Sequence, residues 1–373
     1  MSSISVNTIT DASGGATTSI NGFTPSVSNM AGRNRIINGD MRIDQRNAGA
    51  SVTPANGEYT LDRFKVLLSQ ASKFTAQQNA GSVTPPAGFS NYLGLTVGAS
   101  ANVTVGTSDY FNIWHRIEGF NVADLGWGAS GAKPITLSFW VRSSVSGTFG
   151  GALQNGVQTR FYPFTYTIST TNTWEQISVT IAGDTTGTWH TANETGITVS
   201  LGLGNGSAWS GTAGAWVAQS GSVYPASATG ATNWIETNGA TFYITGVQLE
   251  EGSVATPFCP AGGGSYGAEL ALCQRYFVNT TQAACMSNIN SQYVSVCTRL
   301  NPVPMRATPS VSVSGTYTFN PFFGGGLYTS SNAPYLQRNL NDNFIINFNM
   351  GASTGTTGFG EIYNATLSIS AEL

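Results

Sequence analysis

Apolar and polar residues alternate with a period of two through most of the central part of this chain. Ile135, Leu137, Phe139 and Val141 interleave with Thr136, Ser138, Trp140 and Arg142, the pattern of a strand with one buried and one wet face. Ile177, Val179 and Ile181 repeat it, as do Ile197, Val199, Leu201 and Leu203, with a shorter run at Leu93, Leu95 and Val97. Between the runs lie turn-forming stretches such as Ala182-Gly183-Asp184-Thr185-Thr186-Gly187. Many short strands, frequent turns and little helical periodicity predict an all-β protein. Its centre, residues 36–260, reads as an antiparallel β-sandwich or jelly roll.

The flanks read differently. Residues 1–35 are rich in Gly, Ser, Thr and Asn and cannot build a core alone, so they read as an extended arm that orders against another surface. The stretch 261–266 has the composition of a flexible linker. Directly after it, 268–277 is the best helix candidate of the chain, short and rich in good formers. Strand-like runs then resume to the end, so 261–373 reads as a smaller C-terminal β-domain.

Composition narrows the partners. Charged residues are 9% of the 373-residue chain, against about 25% in an average soluble protein, while 40% apolar content supplies a real core. Net charge is −3 and only Lys65, Lys73 and Lys133 are lysines, so no basic stripe exists to neutralise phosphates and nucleic acid is not an expected partner. No apolar run approaches the roughly 18 residues of a membrane span, and the first residues lack the regions of a signal peptide. Synthesis in a cytoplasm without membrane insertion is therefore expected. Cys259, Cys273, Cys285 and Cys297 have no metal-ligand spacing and read as reduced thiols. Between Arg160 and Arg275 lie seven acids and no Lys or Arg, a field that disfavours anionic ligands near the central loops.

Catalytic chemistry finds few candidates. His115 lies in a strand-like run and reads as structural, and His190 has no nucleophile beside it. Gly351-Ala352-Ser353-Thr354-Gly355 matches a nucleophile-elbow pattern, but the elbow needs a helix after it, and Thr356-Thr357-Gly358-Phe359-Gly360 is a very poor one. Glu250 and Glu251 are adjacent and would point to opposite faces of a strand, which does not make a hydrolytic carboxyl pair. No enzyme is expected and no catalytic or metal-binding residue is assigned.

Binding chemistry is richer. Trp189, with His190 beside it, Trp209, Trp216 and Trp234 sit in Gly/Ser/Thr/Ala-rich segments rather than in alternating strands. Aromatic faces flanked by small polar residues suit the CH faces of neutral sugars. The same tryptophans would equally serve to plug the sandwich or to meet a neighbouring subunit. Trp140, on the polar phase of its strand, is a separate platform candidate, whereas Trp174 reads as core. In the C-terminal domain Phe322, Phe323, Tyr328 and Tyr335 mark a charge-free aromatic loop region, either a receptor-contacting tip or an apolar interface between subunits.

Four motifs carry a resemblance. The central domain opens with Asn38-Gly39-Asp40 and closes with Tyr243-Ile244-Thr245-Gly246-Val247-Gln248-Leu249-Glu250-Glu251-Gly252, as carbohydrate-binding jelly rolls of glycoside hydrolases do. Together with Glu269-Leu-Ala-Leu-Cys-Gln-Arg-Tyr-Phe277 and Pro302-Val-Pro-Met-Arg-Ala-Thr-Pro-Ser-Val311, the chain resembles tail-fibre and appendage proteins of marine and cyanobacterial bacteriophages. The resemblance implies a homotrimer in the virion. Its N-terminal arm would dock on tail or capsid proteins, and its β-domains would adhere to host polysaccharide or lipopolysaccharide. A purely structural virion protein and a polysaccharide depolymerase are the alternatives. Jelly rolls of this kind often hold a structural calcium. Here Thr245-Gly246 replaces the acidic pair and Arg42 stands where a glutamate is expected, so no cofactor is expected; Asp40 with Glu250 is the residual calcium candidate.

Overall fold

A computed structural model describes residues 32–280 and, beyond them, 283–287, 293–296, 303–307, 309–321, 328–330, 335–340, 343–349 and 358–373. The strands of the central domain are β1 (Tyr59–Leu61), β2 (Phe64–Leu68), β3 (Phe74–Gln78), β4 (Leu93–Val97), β5 (Tyr110–Glu118), β6 (Ile135–Ser143) and β7 (Gly147–Asn155). They continue with β8 (Arg160–Ile168), β9 (Glu175–Ile181), β10 (Thr195–Asn205), β11 (Ser210–Gly211), β12 (Val217–Ala218), β13 (Ser227–Ala228) and β14 (Thr241–Glu251). Two antiparallel sheets form, ordered β1-β2-β5-β10-β7-β8-β12 and β3-β4-β14-β6-β9. The expected all-β sandwich is what the chain builds.

The period-two pattern explains the layers. On the first sheet Phe64, Val66, Phe111, Ile113, Ile117, Val199, Leu201 and Phe164 point inward, and on the second Leu95, Leu137, Phe139, Val141, Phe242 and Ile244 meet them in one buried cluster. The adjoining outward positions of β5 are Asn112, Trp114 and Arg116. Trp114 opposes Lys65 on β2 and Ser200 on β10, Arg116 opposes Thr198 on β10, and Thr198 in turn opposes Gln154 on β7. His115 faces inward against Phe64, with Nε2 3.1 Å from the Ile37 carbonyl. Burial, with the charge of Arg63, pushes its pKa well down, so it is a neutral core histidine as expected.

The outward face of the first sheet is partly roofed by the chain between β10 and β14. Ser227 comes so close to Gly150 and Gly202 that a Cβ on either would lie within 3 Å of its side chain. Only glycine allows the roof to sit that low. The Ser200 hydroxyl lies 2.8 Å from the Ala226 carbonyl and tethers it there.

The single α-helix among the described residues, α1 (Tyr266–Gln274), starts two residues before the expected 268–277 and stops three before its end. Ser265 caps its N-terminus, accepting from the Ala268 amide. Its end is set by tertiary pairing: Phe277 opens β15 (Phe277–Thr280), which pairs with the last strand of the C-terminal sheet. The glycine-rich linker is held, since the Gly262 amide donates to Glu269 and Gly263 closes a turn onto Pro260.

The C-terminal sheet adds β16 (Ala283–Ser287), β17 (Tyr293–Val296), β18 (Ser310–Pro321), β19 (Tyr328–Ser330), β20 (Tyr335–Leu340), β21 (Asn343–Asn349) and β22 (Gly358–Ser370). Their order is β19-β18-β22-β16-β17-β21-β20, with β15 also on β22. The residues after β22 return to the sandwich. Glu372 pairs with Arg46 and with the fully buried Arg63, and the Tyr59 hydroxyl donates to the Leu373 carbonyl.

Candidate functional site

The tryptophans that the sequence grouped together separate into three environments. Trp234 is fully buried in the core, edge-on to Phe74 and Phe242; it is a core residue and the structure removes it from the candidate sugar platforms. Trp189 and Trp216 join Trp127 in a mutual T-shaped cluster with ring centroids 4.6, 5.3 and 5.4 Å apart. All three indole N–H groups are spent on backbone carbonyls: Trp127 on Lys133, Trp189 on Thr186 and Trp216 on Ala182. Beneath them Asp184 accepts two hydrogen bonds from Arg160 at 2.7 and 2.9 Å. This knot closes the sandwich edge near β8 and the end of β9. Its rings meet edge to face, and Trp189 and Trp216 stand half-buried in it with their N–H groups committed. His190, next in sequence, belongs to the loop whose backbone covers Gly119 and Gly196, and its buried Nδ1 has no partner.

Trp209 is the different case. It is half-buried in the roof over the first sheet, lying between Tyr110 (centroids 4.4 Å) and Tyr224 (5.7 Å). Its backbone is fixed, since its amide donates to Gly206 and its carbonyl accepts from Ala226. Its indole N–H donates to nothing among the described residues. Next to Tyr110, the Asp109 carboxylate accepts from Ser69, Gln70 and the Gly106 amide; burial raises its pKa, but these bonds outweigh it and hold the group below the ordinary range. A three-ring aromatic strip with a free N–H and polar groups at one end can stack a sugar ring and donate to a hydroxyl.

Four residues along β5 from Tyr110, Trp114 is buried at 2% exposure, donates its indole N–H to Ser200 and carries Lys65 and Arg116 beside its ring. The sequence reading missed Tyr110, Trp114, Tyr224, Lys65 and Arg116, because only the cross-strand register brings them to one face. Trp140 also lies on an outer face, but that of the second sheet, where Thr245 and Gln176 are its cross-strand neighbours. Trp209 and Trp140 therefore cannot form one site. Trp174 packs half-buried on Tyr92 and Tyr243, outside the main core expected for it.

Asp40 and Glu250 do not converge on a cation position. Asp40 pairs with Arg42, and Glu250 with Arg33 while also accepting from Gln248 and Thr256. No group of three His, Cys, Asp or Glu ligands occurs among the described residues. Cys259 is half-buried and Cys273 buried, and neither is in a disulfide. Phe322, Phe323 and the 351–355 motif lie outside the described residues, as do the side chains of Tyr328 and Tyr335, which open β19 and β20.

No family model matches the chain, and no curated protein matches it. Among solved structures it is similar to the enzymatically active domain of tailspike protein 4 of bacteriophage CBA120, at 12% identity and a TM-score of 0.31, over 53% of this chain and 21% of that one. It is similar to a putative sugar-binding protein from Bacteroides thetaiotaomicron at 12% identity and TM-score 0.33, over 59% and 100% of the two chains. A third is the family 11 carbohydrate-binding module from Clostridium thermocellum, in complex with a β-1,3-1,4-mixed-linked tetrasaccharide, at 8% identity and TM-score 0.28, over 55% and 98%.

Proposed function

We propose that the chain is a bacteriophage tail-fibre or appendage protein that adheres to host-surface glycans without cleaving them. The observation that carries the reading is the Tyr110–Trp209–Tyr224 strip, with its unpartnered indole N–H, above an outer sheet face that bears unpartnered polar side chains. The phage assignment rests on the sequence motifs. Within it, residues 1–35 dock on tail or capsid proteins, the protein is a homotrimer in the virion, and weak sugar contacts gain avidity from repeated copies.

The test is binding of the whole chain to an array of bacterial surface polysaccharides and lipopolysaccharides. Saturable binding to some of them that weakens about tenfold in Trp209→Ala is the expected result. A silent array from folded protein overturns the reading. A second reading, a structural virion protein, is favoured by the spent indoles of Trp127, Trp189 and Trp216, and a silent array would select it. Release of reducing ends from a bound polysaccharide would instead mark a depolymerase.

A further inference from the structure

The outer face of the first sheet carries more hydrogen-bond donors than the protein itself satisfies. Lys65 is only 9% exposed, yet its ammonium makes no hydrogen bond or ion pair among the described residues; it lies 5.4 Å from the Tyr59 ring centroid and 6.0 Å from that of Trp114. Arg116 stands 5.3 Å over the same indole; its guanidinium likewise has no carboxylate, and its Nε is buried without a partner. In the same cross-strand row, two strands away through Thr198, Gln154 is 1% exposed with its amide Nε2 unpartnered. Strand spacing puts the Arg116 and Gln154 backbones roughly 10 Å apart.

The acids that might neutralise this face are committed elsewhere. Glu372 is held by Arg46 and Arg63, and Glu118 by Arg275 and the Tyr276 hydroxyl. Among the described residues the two cations therefore stand on one face with no carboxylate partner. Two cations that share a face without a counter-ion favour a ligand that brings the missing charge. Burial, and then the charge of Arg116, push Lys65 down to about 8, and a bound anion would relieve both effects.

We infer that this face takes an acidic glycan, with a sugar carboxylate seated against Lys65 and Arg116. From Trp114 to Tyr110 is four residues along β5, roughly 14 Å, so an oligosaccharide anchored on the cations reaches the Trp209 strip. The inference rests on the glycan reading above and adds the charge class of the ligand. A carboxylate is favoured because charge-assisted bonds to Lys and Arg exceed neutral ones in strength.

The probe is a matched pair of polymers, polygalacturonate and its carboxyl-reduced counterpart, titrated into the whole chain by calorimetry. Wild type is expected to bind the charged polymer about tenfold more tightly. Lys65→Met, which keeps the stem over Trp114, and Arg116→Gln should each remove most of that preference. Lys133→Met, an exposed lysine paired with Glu251, should leave it intact, and Trp209→Ala should weaken both polymers together. Circular dichroism checks that each variant is folded. Equal affinity for the two polymers, no binding to either, or a preference that survives in Lys65→Met and Arg116→Gln would each overturn the inference. Neutral glycans bound on the array would leave the adhesion reading standing even then.

Discussion

The Trp127–Trp189–Trp216 knot and the Tyr110–Trp209–Tyr224 strip are built from the same kind of residue in the same kind of glycine-rich chain, yet they do opposite work. In the knot every indole N–H is spent on a backbone carbonyl and the rings meet edge to face. In the strip the Trp209 and Tyr224 rings are inclined by only 31°, and the Trp209 N–H is free. Sugar binding needs an accessible ring face and a donor with no prior commitment, so composition around a tryptophan says less than where its N–H goes.

The comparison breaks most visibly in stability. Trp127→Ala removes the most buried ring of the knot and is expected to cost about 3–5 kcal/mol, read as a lower midpoint in urea unfolding. Binding per folded molecule should not change. A Trp127 variant of full stability that lost glycan binding would move the site to the knot.

Charge sharpens the contrast next. Asp184, beneath the knot, is 2% exposed and bidentate with Arg160. Burial raises its pKa, but the Arg160 hydrogen bonds, the Thr186 amide and the arginine charge outweigh it and hold the group below its ordinary value. Its folded pKa is thus depressed, so its stabilisation is present above the unfolded value and is lost as pH falls through the folded one. Asp184→Asn should cost about 3 kcal/mol at neutral pH and less in acid. Asp62, at the cation-bearing edge of the open face, has the opposite sign. Burial pushes it up to about 6 despite two bonds from Gln45. Between the unfolded value near 4 and that value the folded state keeps a proton the unfolded state has released, so stability falls as pH rises through this window. Two units correspond to roughly 2–3 kcal/mol. Urea midpoints at pH 4, 5, 6 and 7 should show the slope in wild type and a flatter one in Asp62→Asn; parallel curves would remove the assignment.

Strands were legible in the sequence because their signal is local. The alternation at 135–141, 177–181 and 197–203 falls within β6, β9 and β10, and Trp140 stands on the wet phase where period two puts it. The site was less legible because its signal is register. Nothing near Lys65 announces that it opposes Trp114, or that Arg116 and Gln154 flank Thr198. The charge count hides pairing for the same reason. Of the seven acids between Arg160 and Arg275, Asp184, Glu250 and Glu251 are each paired with Arg160, Arg33 and Lys133. Those three are neutralised locally, while Lys65 and Arg116, without carboxylate partners among the described residues, stand on another face. Helix α1 ended early because Phe277 found a strand partner that helix propensity does not weigh.

Trp209→Ala should have the smallest effect on stability and the largest on binding. Its ring is half-buried and its backbone bonds to Gly206 and Ala226 survive the substitution, so the loss is the aromatic contact with Tyr110 and Tyr224, about 1 kcal/mol. Thermal unfolding should therefore shift by only a few degrees, while affinity for a bound glycan falls about tenfold. Tyr224→Ala gives the control that separates stacking from roof collapse. It removes a neighbour of Trp209 without touching its indole N–H, so it should weaken binding less than Trp209→Ala at equal or greater cost in stability. If instead the two variants lose binding in proportion to their loss of stability, the strip only holds down the roof, and it does for the open face what the knot does for the sandwich edge.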